Sequence, residues 1–348
     1  EKEVREMDAI RSPSDIDDFR RISSLLFADA FSKVDREIYE GAHIPKHGPG
    51  ATADRLRGNA KYQQKTWPVR LEQYFPFGEF CLPNWRFMHH LDDVDFLEPG
   101  SEIPVRVITV PKTLKTPRII GIEPTAMQYA QQSVLPLLLD ALAVDRKGNR
   151  TVLDKIIGFD DQVPNQDLAR KGSRDGTLAT LDMSEASDRV SNQLVREMMR
   201  NFPHLHGAVD ASRSRKADVP GFGVIRLAKF ASMGSALCFP VEAMVFTTLI
   251  FIGIERVLNR PLNPGDVKHL QDQVRVYGDD IIVPVDYVRS VVQVLSSFGM
   301  KVNLGKSFWT GKFRESCGRE YYDGEDVSIV RVRRMFPTRR KDAQEIVS

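Results

Sequence analysis

The sequence of 348 residues has few cysteines and almost no excess of charge of either sign. The three cysteines (Cys81, Cys238 and Cys317) lie far apart and show no metal-binding spacing, which predicts no disulfide and suits a reducing compartment. Lysine and arginine total 49 against 47 aspartates and glutamates, a net charge of +2. The charge balance therefore excludes a uniformly basic protein, and any surface for nucleic acid must be local.

A signal peptide, internal repeats and low-complexity runs are also missing. The longest apolar stretch, residues 236–254, has about the length of a membrane span, but it contains Pro240, Glu242 and two threonines. We therefore predict a buried helix there and no membrane as a partner. The first residue is Glu1 rather than Met, from which we expect a piece of a longer protein.

Residues 274–284 predict a β-hairpin that carries two carboxylates. Two runs rich in β-branched residues flank Gly278 and Asp279, a two-residue turn signal, so Asp279 and Asp280 should lie side by side. The repulsion between adjacent anions is relieved by a divalent cation, and Mg²⁺ prefers carboxylates and phosphates as ligands. An exposed acidic turn without a metal is the alternative.

The order of predicted elements after residue 176 gives the hairpin a partner. A strand at 177–181 that ends at Asp182, helices, the hairpin, a further helix and a strand at 300–303 form a split βαβ, or ferredoxin-like, arrangement. In that layout Asp182 should face Asp279, and the two carboxylates could bridge two metal ions for an in-line displacement at phosphorus, with Asp280 as a third, supporting ligand. Alternatively, Asp182 is only an acidic residue near a helix N-terminus.

Three motifs stand in the order and at the separations of motifs A, B and C of viral RNA-dependent RNA polymerases, which they resemble: Asp182-x5-Asp188, Ser232-Met-Gly-Ser235 and Tyr277-Gly-Asp-Asp280. Four more blocks resemble, more narrowly, the replicase β subunit of the leviviruses, the small positive-strand RNA phages: residues 110–118, 122–124, 181–188 and 313–318. The matching blocks run from about 105 to 334.

This resemblance implies an α+β fold: a right-hand polymerase with a ferredoxin-like palm, fingers and a partial thumb. The corresponding domains are the N-terminal and fingers region at 1–104, fingers with motif F at 105–176, the palm with motifs A to C at 160–296, and motifs D and E with the start of the thumb at 297–348. It also implies an RNA-directed RNA polymerase in the cytoplasm of a bacterial host, replicating a viral positive-strand genome with two Mg²⁺ ions held by Asp182, Asp279 and Asp280. Carboxylates suit Mn²⁺ as well.

The implied partners are RNA template and product, nucleoside triphosphates, host elongation factors Tu and Ts, and a ribosomal protein. For Lys112, Lys115 and Arg118 the family suggests a motif F role, gripping the incoming triphosphate. Several cations on one strand-loop-strand suit the charge of a triphosphate. The alternative is a solvated basic loop.

Motifs A and B supply further candidates for nucleotide binding. Asp188 could accept a hydrogen bond from the ribose 2′-hydroxyl, and no aromatic residue nearby forms the gate expected of a reverse transcriptase. Ser232 and Gly234 form a flexible loop, or alternatively a helix N-cap with a glycine turn. Glu242 stands where most polymerases have asparagine, and a glutamate at this position resembles the levivirus variant. Cys238 stands at the position of a threonine, which weakens any role for a hydroxyl there.

Two basic residues after the hairpin complete the predicted site. In the segment that resembles motif D, Lys306, or alternatively Lys301, could protonate the departing pyrophosphate; either could equally be a surface lysine. In the motif E segment, Arg314 could contact RNA phosphate, or pair with Glu315. Two rival functions stay open: a reverse transcriptase-like palm nucleotidyltransferase and a catalytically incompetent RNA-binding fragment.

Overall fold

The fold of this chain is given by a computed structural model that describes residues 1–111 and 117–329. The α-helices are α1 (Lys2–Ile10), α2 (Pro13–Tyr39), α3 (Phe77–Phe80), α4 (Thr125–Ala143), α5 (Val152–Ile156), α6 (Val163–Asp175), α7 (Ala186–Arg189), α8 (Asn192–Met199), α9 (Pro203–Ser212), α10 (Cys238–Leu258), α11 (Pro264–Leu270) and α12 (Val288–Ser297).

The strands are β1 (Thr66–Pro68), β2 (Asp95–Leu97), β3 (Val105–Pro111), β4 (Pro117–Ile122), β5 (Leu178–Ser184), β6 (Lys216–Val219), β7 (Gly223–Arg226), β8 (Arg275–Tyr277), β9 (Asp280–Pro284), β10 (Lys301–Val302), β11 (Phe313–Ser316), β12 (Arg319–Tyr322) and β13 (Glu325–Asp326). Helices and mostly antiparallel sheets occur together, so the fold is α+β, as predicted.

The sheet that carries the acidic hairpin has the strand order β10-β5-β9-β8, and every neighbouring pair is antiparallel. The order of elements along the chain is that of the split βαβ arrangement. Strand β5 was expected to end at Asp182, but it continues to Ser184, because Met183 and Ser184 pair with Val302 and Lys301 of β10. The carboxylate of Asp182 is thus held within a strand and not at its last residue.

A second sheet, of order β4-β3-β6-β7, lies beside this core. The predicted strands at 105–110 and 118–122 form its antiparallel β3–β4 hairpin, in which Val110 is paired with Arg118. A third sheet, β11-β12-β13, follows the first one in sequence, and β11 packs on β5 and α6.

Helix α10 forms the centre of the hydrophobic core. It is long and apolar enough to cross a membrane, but 89% of its most apolar window is buried inside the protein, which is typical of a core helix. The predicted buried helix is therefore confirmed. Gly253 lets α12 approach closely, since a Cβ there would lie 2.7 Å from Cα of Val291. Helices α2 and α4 cover other parts of the same core, and α4 continues through Pro136.

Candidate active site

The turn between β8 and β9 consists of Gly278 and Asp279, and it requires glycine for two reasons. Gly278 has a φ of +58°, a left-handed conformation that costs other residues energy. A Cβ at this position would also lie 2.5 Å from Cε2 of Phe239, a residue in the first turn of α10. The ring of Phe239 packs against Tyr277, with 5.4 Å between ring centroids. The start of α10 therefore fixes the position of the acidic turn.

The three predicted aspartates meet at the end of β5 and the tip of this hairpin. Asp182 on β5 is paired in register with Asp280 on β9, and not with Asp279 as expected. Asp279 occupies the turn, and its carbonyl accepts a hydrogen bond from N–H of Met183 at 3.2 Å. Its side chain is exposed, whereas those of Asp182 and Asp280 are partly buried. Asp279 is the aspartate most accessible from solvent.

The carboxylate of Asp280 is held by the end of β11. It accepts hydrogen bonds from N–H of Cys317 at 3.0 Å and from Oγ of Ser316 at 3.3 Å. Burial raises the pKa of Asp280 to about 6, the Cys317 N–H lowers it, and the negative charges of Asp279 and Asp182 raise it further. These contacts at the end of β11 fix the carboxylate of Asp280, which suits its predicted role as a supporting metal ligand.

Asp182 is held by the segment after β10. Nδ2 of Asn303 donates to Oδ2 of Asp182 at 2.8 Å, and N–H of Asn303 donates to its carbonyl, also at 2.8 Å. N–H of Asp182 in turn donates to Oγ of Ser307 at 3.1 Å. Lys306 lies in the short 3-10 helix between these residues, Leu304–Lys306, and is exposed. The sequence pointed to the segment but missed Asn303 and Ser307, since an amide and a hydroxyl in a loop carry no signal of their own.

The donor chemistry of these carboxylates fits hard divalent cations. Within residues 1–111 and 117–329, however, no group of three or more histidine, cysteine, aspartate or glutamate side chains is arranged to hold a metal ion. The backbone brings Asp182, Asp279 and Asp280 together, while their side chains do not converge as a ready-made cage. Neighbouring carboxylates repel one another, and a bound cation would draw the three carboxylates together.

A second group of acidic side chains approaches Asp279 from α7 and α10. Oδ1 of Asp188 forms a salt bridge with Nζ of Lys229 at 2.6 Å, a partner that the sequence did not reveal. Glu242 on α10 is 7% exposed, and its Oε2 has no hydrogen-bond partner within the described part of the chain. Burial, with the charges of Asp279 and Asp188, raises the pKa of Glu242 to about 8. The carboxyl of Glu242 is thus within reach of the negative charge of Asp279 in the acidic turn.

The loop that contains Ser232 and Gly234 packs directly on β4. A Cβ at Gly234 would lie 1.8 Å from the carbonyl oxygen of Gly121, and one at Gly121 would lie 2.5 Å from Cβ of Ser232. The loop and the strand can approach this closely because both Gly234 and Gly121 lack a side chain. Ser232 is buried, so the residue in this loop with an exposed side chain is Met233.

The basic residues predicted to grip the triphosphate are described only in part. Arg118 is exposed on β4, the strand against which the 232–235 loop packs. Lys112 and Lys115 lie outside the described residues. Of the three basic residues, Arg118 therefore lies on the same strand as Gly121, on which the loop of motif B packs.

The prediction that Arg314 contacts RNA is wrong for this structure. Arg314 is 1% exposed, and its guanidinium donates to main-chain carbonyls: Nε to Leu178 at 2.6 Å, Nη1 to Phe313 at 2.6 Å and to Gly311 at 3.1 Å. These bonds attach β11 to the start of β5. Because the guanidinium is buried and bonded to these carbonyls, Arg314 is a structural residue that helps to place Ser316 and Cys317 next to Asp280.

The sequence of this chain matches one protein-family model over most of its length. The model of the family described as RNA replicase, beta-chain, matches residues 102–341. This chain belongs to the RNA replicase β-chain family. The matched region contains the acidic hairpin, β5, α10 and the β3–β4 hairpin.

Curated relatives in this family come from RNA phages. The chain is 38% identical over 223 residues to the RNA-directed RNA polymerase beta chain of Enterobacteria phage fr, covering 64% of this chain and 36% of that one. It is 36% identical to the corresponding chain of Escherichia phage MS2 with the same coverage. With the RNA-directed RNA polymerase subunit beta of Escherichia virus Qbeta it shares 34% over 267 residues, 74% of this chain and 42% of the relative.

The matches thus span well under half of the length of these relatives. Among solved structures, one titled "RdRp complex" is similar over 88% of this chain and 28% of that one, at 11% identity and a TM-score of 0.49. A likeness of this strength adds nothing to the family assignment.

Proposed function

We propose that this replicase β-chain segment is the catalytic core of an RNA-directed RNA polymerase that replicates a viral positive-strand RNA genome. The observation that carries the proposal is the pairing of Asp182 with Asp280 next to the exposed Asp279, at the end of a split βαβ sheet. The family assignment supports it, because relatives carry the name RNA-directed RNA polymerase. The activity would be transfer of nucleotides from triphosphates to a growing RNA strand.

In this proposal the sheet β10-β5-β9-β8 with α10 and α12 forms the palm. Residues 160–296 supply motifs A to C, residues 1–104 and 105–176 form fingers, and 297–348 contain motifs D and E and the start of the thumb. The contact between Gly121 and Gly234 would join fingers to palm at the nucleotide site.

Asp182 and Asp279, with Asp280 in support, would hold two Mg²⁺ ions, or Mn²⁺. When bound, such ions favour ionisation of an attacking hydroxyl and neutralise charge on the phosphates. The protein's own residues would prepare the site: Asn303 and Ser307 orient Asp182, and the N–H of Cys317 orients Asp280. Orientation of reacting groups by rigid elements is a large part of phosphoryl transfer catalysis.

Nucleotide recognition would involve both ends of the substrate. Arg118, with Lys112 and Lys115, would bind the triphosphate, and Asp188 and Glu242 would stand near the ribose, with the loop of Ser232 and Gly234 beside them. The unpartnered Oε2 of Glu242 supports this, since an unsatisfied buried oxygen is costly unless a ligand uses it. Lys306 is the proposed proton donor to pyrophosphate, because it is exposed three residues from Asn303.

The proposed macromolecular partners are RNA template and product. Host elongation factors Tu and Ts and a ribosomal protein are proposed from the levivirus resemblance alone, as is the cytoplasm of a bacterial host.

Substitution of Asp279 tests the role of the acidic turn. We expect Asp279→Asn to abolish metal-dependent incorporation of ribonucleotides on an RNA template, because it removes a ligand charge without changing the side-chain shape. Asp286→Asn is the matched control, since Asp286 is an exposed aspartate just beyond the other end of β9. Equal incorporation by both variants would refute the assignment of Asp279.

One observation favours a second candidate, an RNA-binding segment without catalysis: within the described residues the carboxylates do not form a ready-made metal cage. RNA binding by the unmodified chain without incorporation at any Mg²⁺ or Mn²⁺ concentration would select that candidate. Preference for deoxyribonucleotides would instead indicate a reverse transcriptase-like enzyme.

A further inference from the structure

A buried glutamine holds the end of the motif B loop. Gln131 lies in α4 and is 1% exposed. Its Oε1 accepts hydrogen bonds from Oγ of Ser235 at 3.1 Å and from N–H of Ala236 at 3.0 Å. Its Nε2 donates to the carbonyl of Ser212, at the end of α9, at 2.9 Å. One amide group thus connects α4, α9 and the loop that leads into α10.

The loop at residues 232–236 is held from two sides. On one side Gly234 rests on the carbonyl oxygen of Gly121 in β4; on the other side Ser235 and Ala236 are bonded to Gln131. Within the loop, N–H of Ser235 donates to the carbonyl of Ser232 at 2.9 Å. The hydrogen bonds of Gln131 therefore hold the end of the loop, next to the first residue of α10.

The beginning of α10 makes the next contacts towards the acidic turn. The ring of Phe239 packs against Tyr277, with 5.4 Å between ring centroids, and occupies the space that a Cβ at Gly278 would need. A shift of Ala236 would move this ring, because only Leu237 and Cys238 lie between Ala236 and Phe239 in the sequence. Gln131 is thereby connected to the aspartate hairpin through one continuous stretch of main chain.

We propose that Gln131 is a positioning residue for nucleotide binding: it holds the 232–236 loop and the first turn of α10 in the arrangement that receives the incoming nucleotide. The inference rests on the proposed polymerase function. Gln131 does not touch the aspartates; it acts through the loop. Glutamine suits the position because a single side chain offers an acceptor with two lone pairs and an amide donor.

Two substitutions remove all or part of the bonds that hold the loop. Gln131→Met keeps the length of the side chain but removes every hydrogen bond of the amide. Ser235→Ala removes the bond from Oγ of Ser235 and leaves the bonds of Gln131 to Ala236 and Ser212. Ser235→Ala therefore probes the loop without disturbing the bond to Ser212. Ser133→Ala is the control, because Ser133 is equally buried in α4 and its Oγ donates to the carbonyl of Ala130 in the same helix.

For Gln131→Met we expect the KM for ribonucleotides to rise about tenfold with little change in kcat, since loss of two neutral hydrogen bonds is worth roughly this factor or more. Ser133→Ala should show no such loss. Ser235→Ala removes one of the two bonds and should raise KM about threefold. This milder variant keeps the test decisive if Gln131→Met fails to fold.

Hydrogen exchange of the Ala236 amide tests the same contact without any enzymatic reaction. We expect exchange to accelerate about tenfold or more in Gln131→Met, but not in Ser133→Ala. If KM and Ala236 exchange match those of Ser133→Ala, the proposal is overturned. If the unmodified chain incorporates no nucleotide, the proposed function fails, whereas the exchange rate still decides whether Gln131 holds the loop.

Discussion

Replacement of Gly278 by alanine tests whether the acidic turn needs glycine for the reasons that the structure gives. At φ +58° an alanine is strained by about 1–2 kcal/mol. Its Cβ would lie 2.5 Å from Cε2 of Phe239, and because that ring is only partly buried it can move at a cost of about 1 kcal/mol. We therefore expect Gly278→Ala to lower the free energy of unfolding by about 2–3 kcal/mol.

Gly176→Ala is the matched control for the strain alone. Gly176 ends α6 with a φ of +74°, and a Cβ there would meet no atom within 4 Å. This variant should lose only the strain, about 1–2 kcal/mol, in urea unfolding. In addition, Gly278→Ala should lose nucleotide incorporation, whereas Gly176→Ala should retain it, because only the first displaces the aspartate hairpin.

The contact with Phe239 can be separated further by a double substitution. Phe239→Leu alone loses the packing of the ring against Tyr277 and is the reference for the double variant. In the Phe239→Leu background, Gly278→Ala should cost only the strain. If Gly278→Ala is no less stable than Gly176→Ala, or if it costs as much in the Phe239→Leu background as in the unmodified chain, the reasoning about Phe239 is refuted.

Two further predictions concern buried ionisable side chains. Burial raises the pKa of Glu123, whose carboxylate accepts a hydrogen bond from Ser214, from about 4.5 to about 7; the native state therefore binds the extra proton, and between pH 4.5 and 7 stability falls as pH rises, by up to about 3 kcal/mol. Urea unfolding of Glu123→Gln across this range should show a gain relative to the unmodified chain that grows with pH; a difference independent of pH would contradict this. Arg314→Met should lower the free energy of unfolding by about 2–4 kcal/mol, because it removes bonds to several buried carbonyls, and leave the salt dependence of RNA binding unchanged. A stable Arg314→Met with a reduced salt slope would show that Arg314 does contact phosphate.

The central sheet could be predicted from sequence because its strands carry strong local signals. The β-branched runs around Gly278 and the run that ends near Asp182 predicted both strands and their order. The register could not be predicted to one residue: β5 extends to Ser184 because β10 pairs with it, and pairing between distant strands has no local signature. Asp182 therefore faces Asp280, where the sequence suggested Asp279.

Polar side chains were harder to predict than strands. The resemblance to motif E suggested an RNA contact for Arg314, and nothing in the sequence distinguishes a buried from an exposed guanidinium. Gln131 and Asn303 were missed for the opposite reason: their residue types are ordinary, and their importance arises only from contacts with residues far away in the sequence. Burial and long-range hydrogen bonds are properties of the folded chain.

The most direct test of the proposed function is template-directed incorporation of ribonucleotides by the chain itself, followed by a titration of Mg²⁺. The account predicts incorporation that depends on the template sequence, appears with Mg²⁺ or Mn²⁺ and disappears when a chelator removes the ion. A chain that binds RNA and nucleotides but forms no phosphodiester bond at any concentration of either ion would contradict it.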